Sequence, residues 1–187
     1  MKQYIVRADG FDAAHRIKNH TGACANIHGH RYNYELEFEF DSSKGSLDST
    51  LGYSIDFSEI KRIAVQFLLD YFDHGFIVNP ADKEIIELLD KLNSKMWLMS
   101  LHGKGVFCNP SVENMAKEIF MAISSIMNTD DLLFSKLTLY ETPNSYTICT
   151  RESISDKEML SFMSATQNLL MEYKNKKGRI SYDSTRK

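Results

Sequence analysis

From Arg31 to Phe40 the chain reads Arg-Tyr-Asn-Tyr-Glu-Leu-Glu-Phe-Glu-Phe, alternating polar and apolar residues without a break. A two-residue period is the mark of a half-buried strand. A strand with one apolar face must be covered by another layer, so this run commits the chain to a sheet. At its entry stands Cys24-Ala25-Asn26-Ile27-His28-Gly29-His30. His28 and His30 are two apart, so on an extended chain both imidazoles leave the same face. Gly29 carries no side chain, which lets another backbone or a substrate come close.

Two imidazoles on one face need a third ligand to form an open catalytic zinc site. His15 is the best candidate. It ends the stretch Tyr4-Ile5-Val6-Arg7-Ala8-Asp9-Gly10-Phe11-Asp12-Ala13-Ala14, which reads as a first strand pairing antiparallel with the second. A loop over residues 16–27 is short enough to set His15 across from His28 and His30. Three neutral imidazoles hold zinc and leave one position for water or substrate. The plainer alternative is a set of surface histidines beside a buried free thiol.

Phe11-Asp12-Ala13-Ala14-His15-Arg16, followed by Cys-x3-His-Gly-His, resembles the 6-pyruvoyltetrahydropterin synthase superfamily. The three-residue gap between Cys24 and His28 is similar to its bacterial branch, the 6-carboxytetrahydropterin synthases. Further blocks in family order are Gly52-Tyr53-Ser54-Ile55-Asp56-Phe57, Phe72-Asp73-His74, Asn109-Pro110-Ser111-Val112-Glu113-Asn114 and Tyr140-Glu141-Thr142-Pro143. Together they cover about residues 3 to 150. Val112 departs from the family pattern, which more often has serine or alanine there, and leaves a side-chain hydroxyl contact at that position open.

With 187 residues the chain fits one domain. Its 43% hydrophobic and 25% charged residues, with a net charge of -3, give no general pull toward nucleic acid or membrane. No apolar run approaches the ~20 residues that span a bilayer, and Met1-Lys2-Gln3-Tyr4 lacks the apolar core of a signal peptide. Three cysteines at scattered spacings make no disulfide framework, so a reducing cytoplasm is expected. Cys108 and Cys149 read as small apolar residues.

Past the two strands, residues 41–50 read as a polar turn-rich loop. A first helix follows, with Asp56 as N-cap and Glu59 completing a capping-box-like pattern. Ile60, Ile63, Ala64, Phe67, Leu68 and Tyr71 form its core stripe, and Gly75 is expected to stop it. Residues 81–99 suggest a helix that lengthens a connection, with Trp97 and Met99 as packing residues. His102 falls in a flexible turn with little claim to a catalytic role. A second long helix is expected to open at Asn109-Pro110, asparagine as cap and proline at the first helical position. Met115, Ile119, Ala122, Ile123 and Ile126 are its buried stripe. Ser135–Glu141 and Ser145–Thr150 read as strands joined by Thr142-Pro143-Asn144. Ser155 and Glu158 cap a C-terminal amphipathic helix, and Lys174-Asn175-Lys176-Lys177-Gly178-Arg179 begins a basic tail.

The expected architecture is α+β: a four-stranded antiparallel sheet with two helices on one face, plus the C-terminal helix. The expected division is residues 1–154 as the pterin synthase domain and 155–187 as extension. The resemblance implies the T-fold, whose subunits join sheets into a barrel, commonly as a dimer of trimers with sites at subunit boundaries. It implies zinc on His15, His28 and His30, and proton transfer by Cys24, Asp73 and His74. Glu141 would anchor a pterin ring, with Ser111 and Glu113 beside it. The implied reaction turns 7,8-dihydroneopterin triphosphate into 6-carboxy-5,6,7,8-tetrahydropterin, releasing acetaldehyde and triphosphate, in making queuosine precursors. Arg16 and nearby lysines are candidates for the triphosphate. Without the resemblance, Asp73-His74 reads first as a capping pair and Glu141 as a surface carboxylate. Two alternatives stay open: 6-pyruvoyltetrahydropterin synthase activity on the same substrate, and a non-catalytic zinc or pterin-binding module.

Overall fold

The computed structural model describes residues 1–41, 52, 54–178 and 180. In chain order it contains β1 (Lys2–His15), β2 (His28–Asp41), α1 (Phe57–Ile60), α2 (Gln66–Tyr71), β3 (Gly75–Val78), α3 (Lys83–Lys91), β4 (Met96–Leu98), α4 (Val112–Met127), β5 (Leu132–Thr142), β6 (Ser145–Cys149) and α5 (Asp156–Lys177). A wider π-type stretch, Lys61–Val65, joins α1 to α2. The expected polar loop after β2 and the end of the basic tail lie outside the described residues.

The alternating run behaves as its pattern demands. Tyr32, Tyr34, Leu36, Phe38 and Phe40 are all buried on one face of β2. β1 and β2 pair antiparallel along their whole length, from Lys2 opposite Asp41 to His15 opposite His28. A Cβ on Gly29 would lie 3.0 Å from the Ala13 carbonyl oxygen, so the pairing strand occupies the room that glycine leaves.

The sheet has six strands, in the order β4-β3-β1-β2-β5-β6, rather than four. It is also mixed. β3 lies parallel to β1, and β4 parallel to β3. Both added strands are short, and Phe76, Ile77 and Val78 are all buried. A strand covered on both faces shows no alternation, which is why the sequence hides it. Ile77 joins the main core, while Phe76 and Val78 pack with Ile85 and Leu89 of α3. One helix therefore covers the face of β3 opposite to the main core, where all helices were expected on one side. The expected helix over 81–99 ends at Lys91 and gives way to β4.

The main core joins Phe11, Tyr32, Leu36, Leu137 and Leu139 of the sheet to Ile60, Phe67, Met115, Ile119 and Ile123 of the helices. Phe162, Leu170 and Tyr173 bring α5 into it, and the Tyr173 hydroxyl donates to the Ile63 carbonyl at 2.9 Å. The lysines of the expected basic tail form the last turn of α5, where cations suit the helix dipole, and Gly178 at φ 74° stops the helix. Among the described residues, no helix is long and apolar enough to cross a membrane.

Candidate metal and substrate site

His15, the last residue of β1, is buried at 1% exposure. It faces His28, the first residue of β2, and both sit on the side of the sheet that carries the core. Ring centroids are 4.5 Å apart for His15 and His28, 5.3 Å for His15 and His30, and 5.0 Å for His28 and His30. One nitrogen of each ring lies within 4.8 Å of the others. Three imidazoles on adjacent antiparallel strands thus converge on one point, as the spacing predicted.

Backbone acceptors settle which nitrogens converge. His15 Nδ1 donates to the Pro110 carbonyl at 2.8 Å, and His28 Nδ1 to the Asn26 carbonyl at 2.8 Å. Each of these two rings then presents an Nε2 lone pair inward, the arrangement that such backbone bonds impose on metal-binding histidines. Burial also lowers the His15 pKa from 6.5 to about 4, with the neighbouring His28 and His30 adding to the shift and the Pro110 bond opposing it. His15 is consequently neutral at pH 7, the form a metal requires. The donor set fits a divalent metal such as zinc.

Glu141 reaches the same place. Its Oε1 lies 3.7 Å from His15 Nε2 and 4.0 Å from His30 Nε2. The pairing of β5 with β6 slips between Tyr140 and Thr142, so Glu141 is the irregular residue at the strand end. Tyr32, two residues past His30, lies beneath the cluster with its hydroxyl 3.2 Å from His15 Nε2. The sequence reading assigned Tyr32 no role, although its spacing from His30 puts it on the metal face. Burial, with the Glu141 and Cys24 charges, pushes the Tyr32 phenol well above its ordinary pKa, which keeps it an O–H donor. Cys24 is exposed, in a short 3-10 turn (Ala23–Ala25) whose loop is closed by Ile17 N–H donating to the Cys24 carbonyl at 2.7 Å.

Asp73 and His74 form a pair, with Asp73 Oδ2 2.7 Å from His74 Nδ1. They dock on β1. Asp73 Oδ1 accepts from the Asp12 amide at 2.9 Å, and the His74 amide donates to the Asp12 carbonyl at 2.7 Å. Partial burial works against ionisation of Asp73, but the Asp12 amide and His74 outweigh it and hold the carboxyl below its usual pKa. Among the described residues, no hydrogen bond or ion pair links this pair to the histidine cluster. The helix ends at Tyr71 and Gly75 opens β3, so Gly75 is not its stop. His74 makes the turn instead, at φ 52°, a left-handed conformation uncommon for non-glycine residues.

The start of α4 also differs from expectation. Ser111 is the N-cap, its hydroxyl accepting from the Asn114 amide at 3.4 Å. Asn109 is diverted to a clamp: its side chain accepts from the Lys18 amide and donates to the Lys18 carbonyl, each at 3.0 Å. It also takes a bond from Asn79 at 2.8 Å. That clamp sets Pro110 under His15. Glu113 is exposed in the first turn. Arg16 grips Asp82 with two bonds of 2.6 and 2.7 Å, and Lys18 reaches the same carboxylate at 3.4 Å. The Arg16 fork is thereby engaged within the chain, which weakens its candidacy for a triphosphate. Cys108 and Cys149 are buried, as read, and burial raises their thiols to about 12 and about 11.

Residues 4–152 match the 6-pyruvoyl tetrahydropterin synthase family. The 6-carboxy-5,6,7,8-tetrahydropterin synthase of Haemophilus influenzae is 35% identical over 145 residues, covering 76% of this chain and 94% of that protein. The enzyme of the same name from Rickettsia felis is 33% identical over 138 residues, covering 73% and 91%. Among solved structures, Caenorhabditis elegans 6-pyruvoyl tetrahydropterin synthase superposes with a TM-score of 0.56 at 23% identity, covering 80% of this chain and 96% of that one. That likeness speaks to the fold alone. The extent and identity of the sequence matches show that the chain belongs to the 6-pyruvoyl tetrahydropterin synthase family and is a lyase of the pterin synthase type.

Proposed function

We propose that this protein is a zinc-dependent 6-carboxy-5,6,7,8-tetrahydropterin synthase. It converts 7,8-dihydroneopterin triphosphate and one water to 6-carboxy-5,6,7,8-tetrahydropterin, acetaldehyde and triphosphate, in the cytoplasm and on the route to queuosine. The observation that carries the reading is the convergence of His15, His28 and His30 with the Glu141 carboxylate alongside. The names of the relatives above, and the short Cys24–His28 spacing, support the carboxy product over the pyruvoyl one.

Zinc bound by His15, His28 and His30 supplies Lewis-acid polarisation of the substrate's side-chain oxygens. Cys24, exposed in the loop that leads into His28, takes the carbon-bound proton next to the ring. Asp73 orients His74, which returns a proton to the product side. Glu141 accepts two parallel hydrogen bonds from the 2-amino and ring N–H groups of the pterin. Ser111 uses its oxygen as a helix cap and keeps its O–H free to donate to the ring, with Glu113 next to it. A homohexamer built as a dimer of trimers would set the sites at subunit boundaries. The residues past 154 form an extension that packs on the same core.

Incubation with 7,8-dihydroneopterin triphosphate, with and without a chelator, tests the proposal by product mass and acetaldehyde release. Chelator-sensitive acetaldehyde with the carboxy product is expected. A product that retains its three-carbon side chain, or no turnover, would overturn it.

A further inference from the structure

Within the metal-site reading above, Glu141 is the ring anchor, but its position in the free protein points to the metal as well. A carboxylate that takes two parallel N–H bonds from a ring edge has both oxygens committed. Yet in the free protein its Oε1 sits 3.7 Å from His15 Nε2 and 4.0 Å from His30 Nε2. Tetrahedral zinc, with bonds of ~2.0–2.1 Å, sets neighbouring ligand atoms ~3.4 Å apart. Glu141 Oε1 is within a few tenths of an ångström of that edge length from two of the three imidazole nitrogens.

The hydrogen-bond inventory makes the same point. His15 Nδ1 carries the proton given to Pro110, so Nε2 of the neutral ring is an acceptor. A carboxylate oxygen is an acceptor as well. Two acceptors facing each other at 3.7 Å repel unless a cation lies between them. The Tyr32 hydroxyl, 3.2 Å from Nε2, has one hydrogen and cannot serve both. Among the described residues, no donor outside the histidine cluster holds the Glu141 side chain, and at 27% exposure it is within reach of a ligand entering from solvent. Its place at a β-bulge, where strand pairing has already slipped, leaves it free of a regular register.

We infer that Glu141 is an exchangeable fourth metal ligand. In the resting enzyme its carboxylate completes the coordination of the three histidines. Arrival of a pterin ring draws the carboxylate onto the ring's 2-amino and N–H edge, and the vacated position becomes available to the substrate's side-chain oxygens. No covalent bond other than the metal–oxygen contact is made or broken. Ring recognition thus precedes metal access, and small hydroxy-carbonyl compounds that lack the ring are refused by the metal.

The test uses the full chain loaded with cobalt(II), read by its visible ligand-field spectrum, with thiocyanate as the probe anion. The wild-type protein should resist thiocyanate. Glu141→Gln and Glu141→Ala should show altered resting spectra and bind thiocyanate at least ~10-fold more tightly. Unsubstituted pterin, a ring without a side chain, should raise thiocyanate affinity of the wild type by a similar factor and leave the two variants unchanged. That third measurement needs no mutation, so it stands even where a variant folds poorly. Identical spectra and thiocyanate affinities in all three proteins, with no effect of pterin, would overturn the exchange while leaving the metal site intact. Failure of the wild type to take up one cobalt per chain would instead remove the metal site and the exchange together.

Discussion

His15 Nδ1 lies 2.8 Å from the carbonyl oxygen of Pro110, a residue 95 positions later in the chain. That bond fixes the ring tautomer from behind and turns Nε2 toward His28 and His30. It depends on the turn before α4, which Asn109 holds by clamping Lys18. The geometry of the metal end of the site is therefore tied to the helix that carries Ser111 and Glu113.

Two buried groups should give the metal-free protein opposing pH dependences. His15 has its pKa lowered from 6.5 to about 4, so its contribution to stability is complete above pH 6.5 and is lost as pH falls toward 4. Glu118, fully buried on α4, has its pKa raised from 4.5 to about 7 by burial, against bonds from the Trp97 ring N–H and the Ser100 and Leu101 amides. Its contribution is complete below pH 4.5 and is lost as pH rises through 7. Each amounts to about 3 kcal/mol, and over pH 4.5–6.5 they offset one another. Denaturant unfolding of chelated His15→Asn should show stability rising as pH falls from 7 to 4.5, and Glu118→Gln the reverse. Profiles parallel to that of the wild type would refute the assignment.

Zinc should stabilise the fold by mass action. At a thousand-fold excess over its Kd the gain is about 4 kcal/mol, reversed by chelation. His28→Ala and His30→Ala should each abolish the zinc-dependent shift in Tm while folding without metal, because both side chains are only half-buried. Thermal unfolding with and without zinc measures this.

Cys24→Ala should bind metal as the wild type does and lose turnover by ~10²–10⁴-fold, the usual contribution of a positioned base. Cys24 is exposed and outside the three-histidine set, so its removal neither opens a cavity nor deletes a ligand. Metal content together with a turnover assay decides it, and unchanged turnover would take Cys24 out of the mechanism.

His74→Gly should trade activity for stability. The left-handed backbone at φ 52° costs roughly 1 kcal/mol for a residue with a Cβ, and glycine relieves it. The lost ion pair with Asp73 is solvent-facing and offsets little of that gain. Tm should be unchanged or raised by a few degrees while turnover drops by ~10²-fold or more. A large loss of stability would mean that the pair is a structural cap.

The sequence alone determined the long ribbon of β1 and β2, the α4 stripe, the C-terminal helix and the convergence of His15, His28 and His30. Each of these follows from a local period or from the register of two neighbouring strands. It could not show β3, which is short, buried and parallel, or β4, which has three residues at the sheet edge, because neither leaves an alternating pattern or a tight turn to read. Nor could it reveal that His74 rather than Gly75 makes the left-handed turn, or that Asn109 clamps Lys18 instead of capping a helix. Those outcomes were decided by partners 60 to 100 residues away, Asp12 and Lys18 among them. Only the tertiary structure set Pro110 behind His15 and Glu141 beside it, because contacts between residues so far apart in the chain leave no trace in any local sequence period.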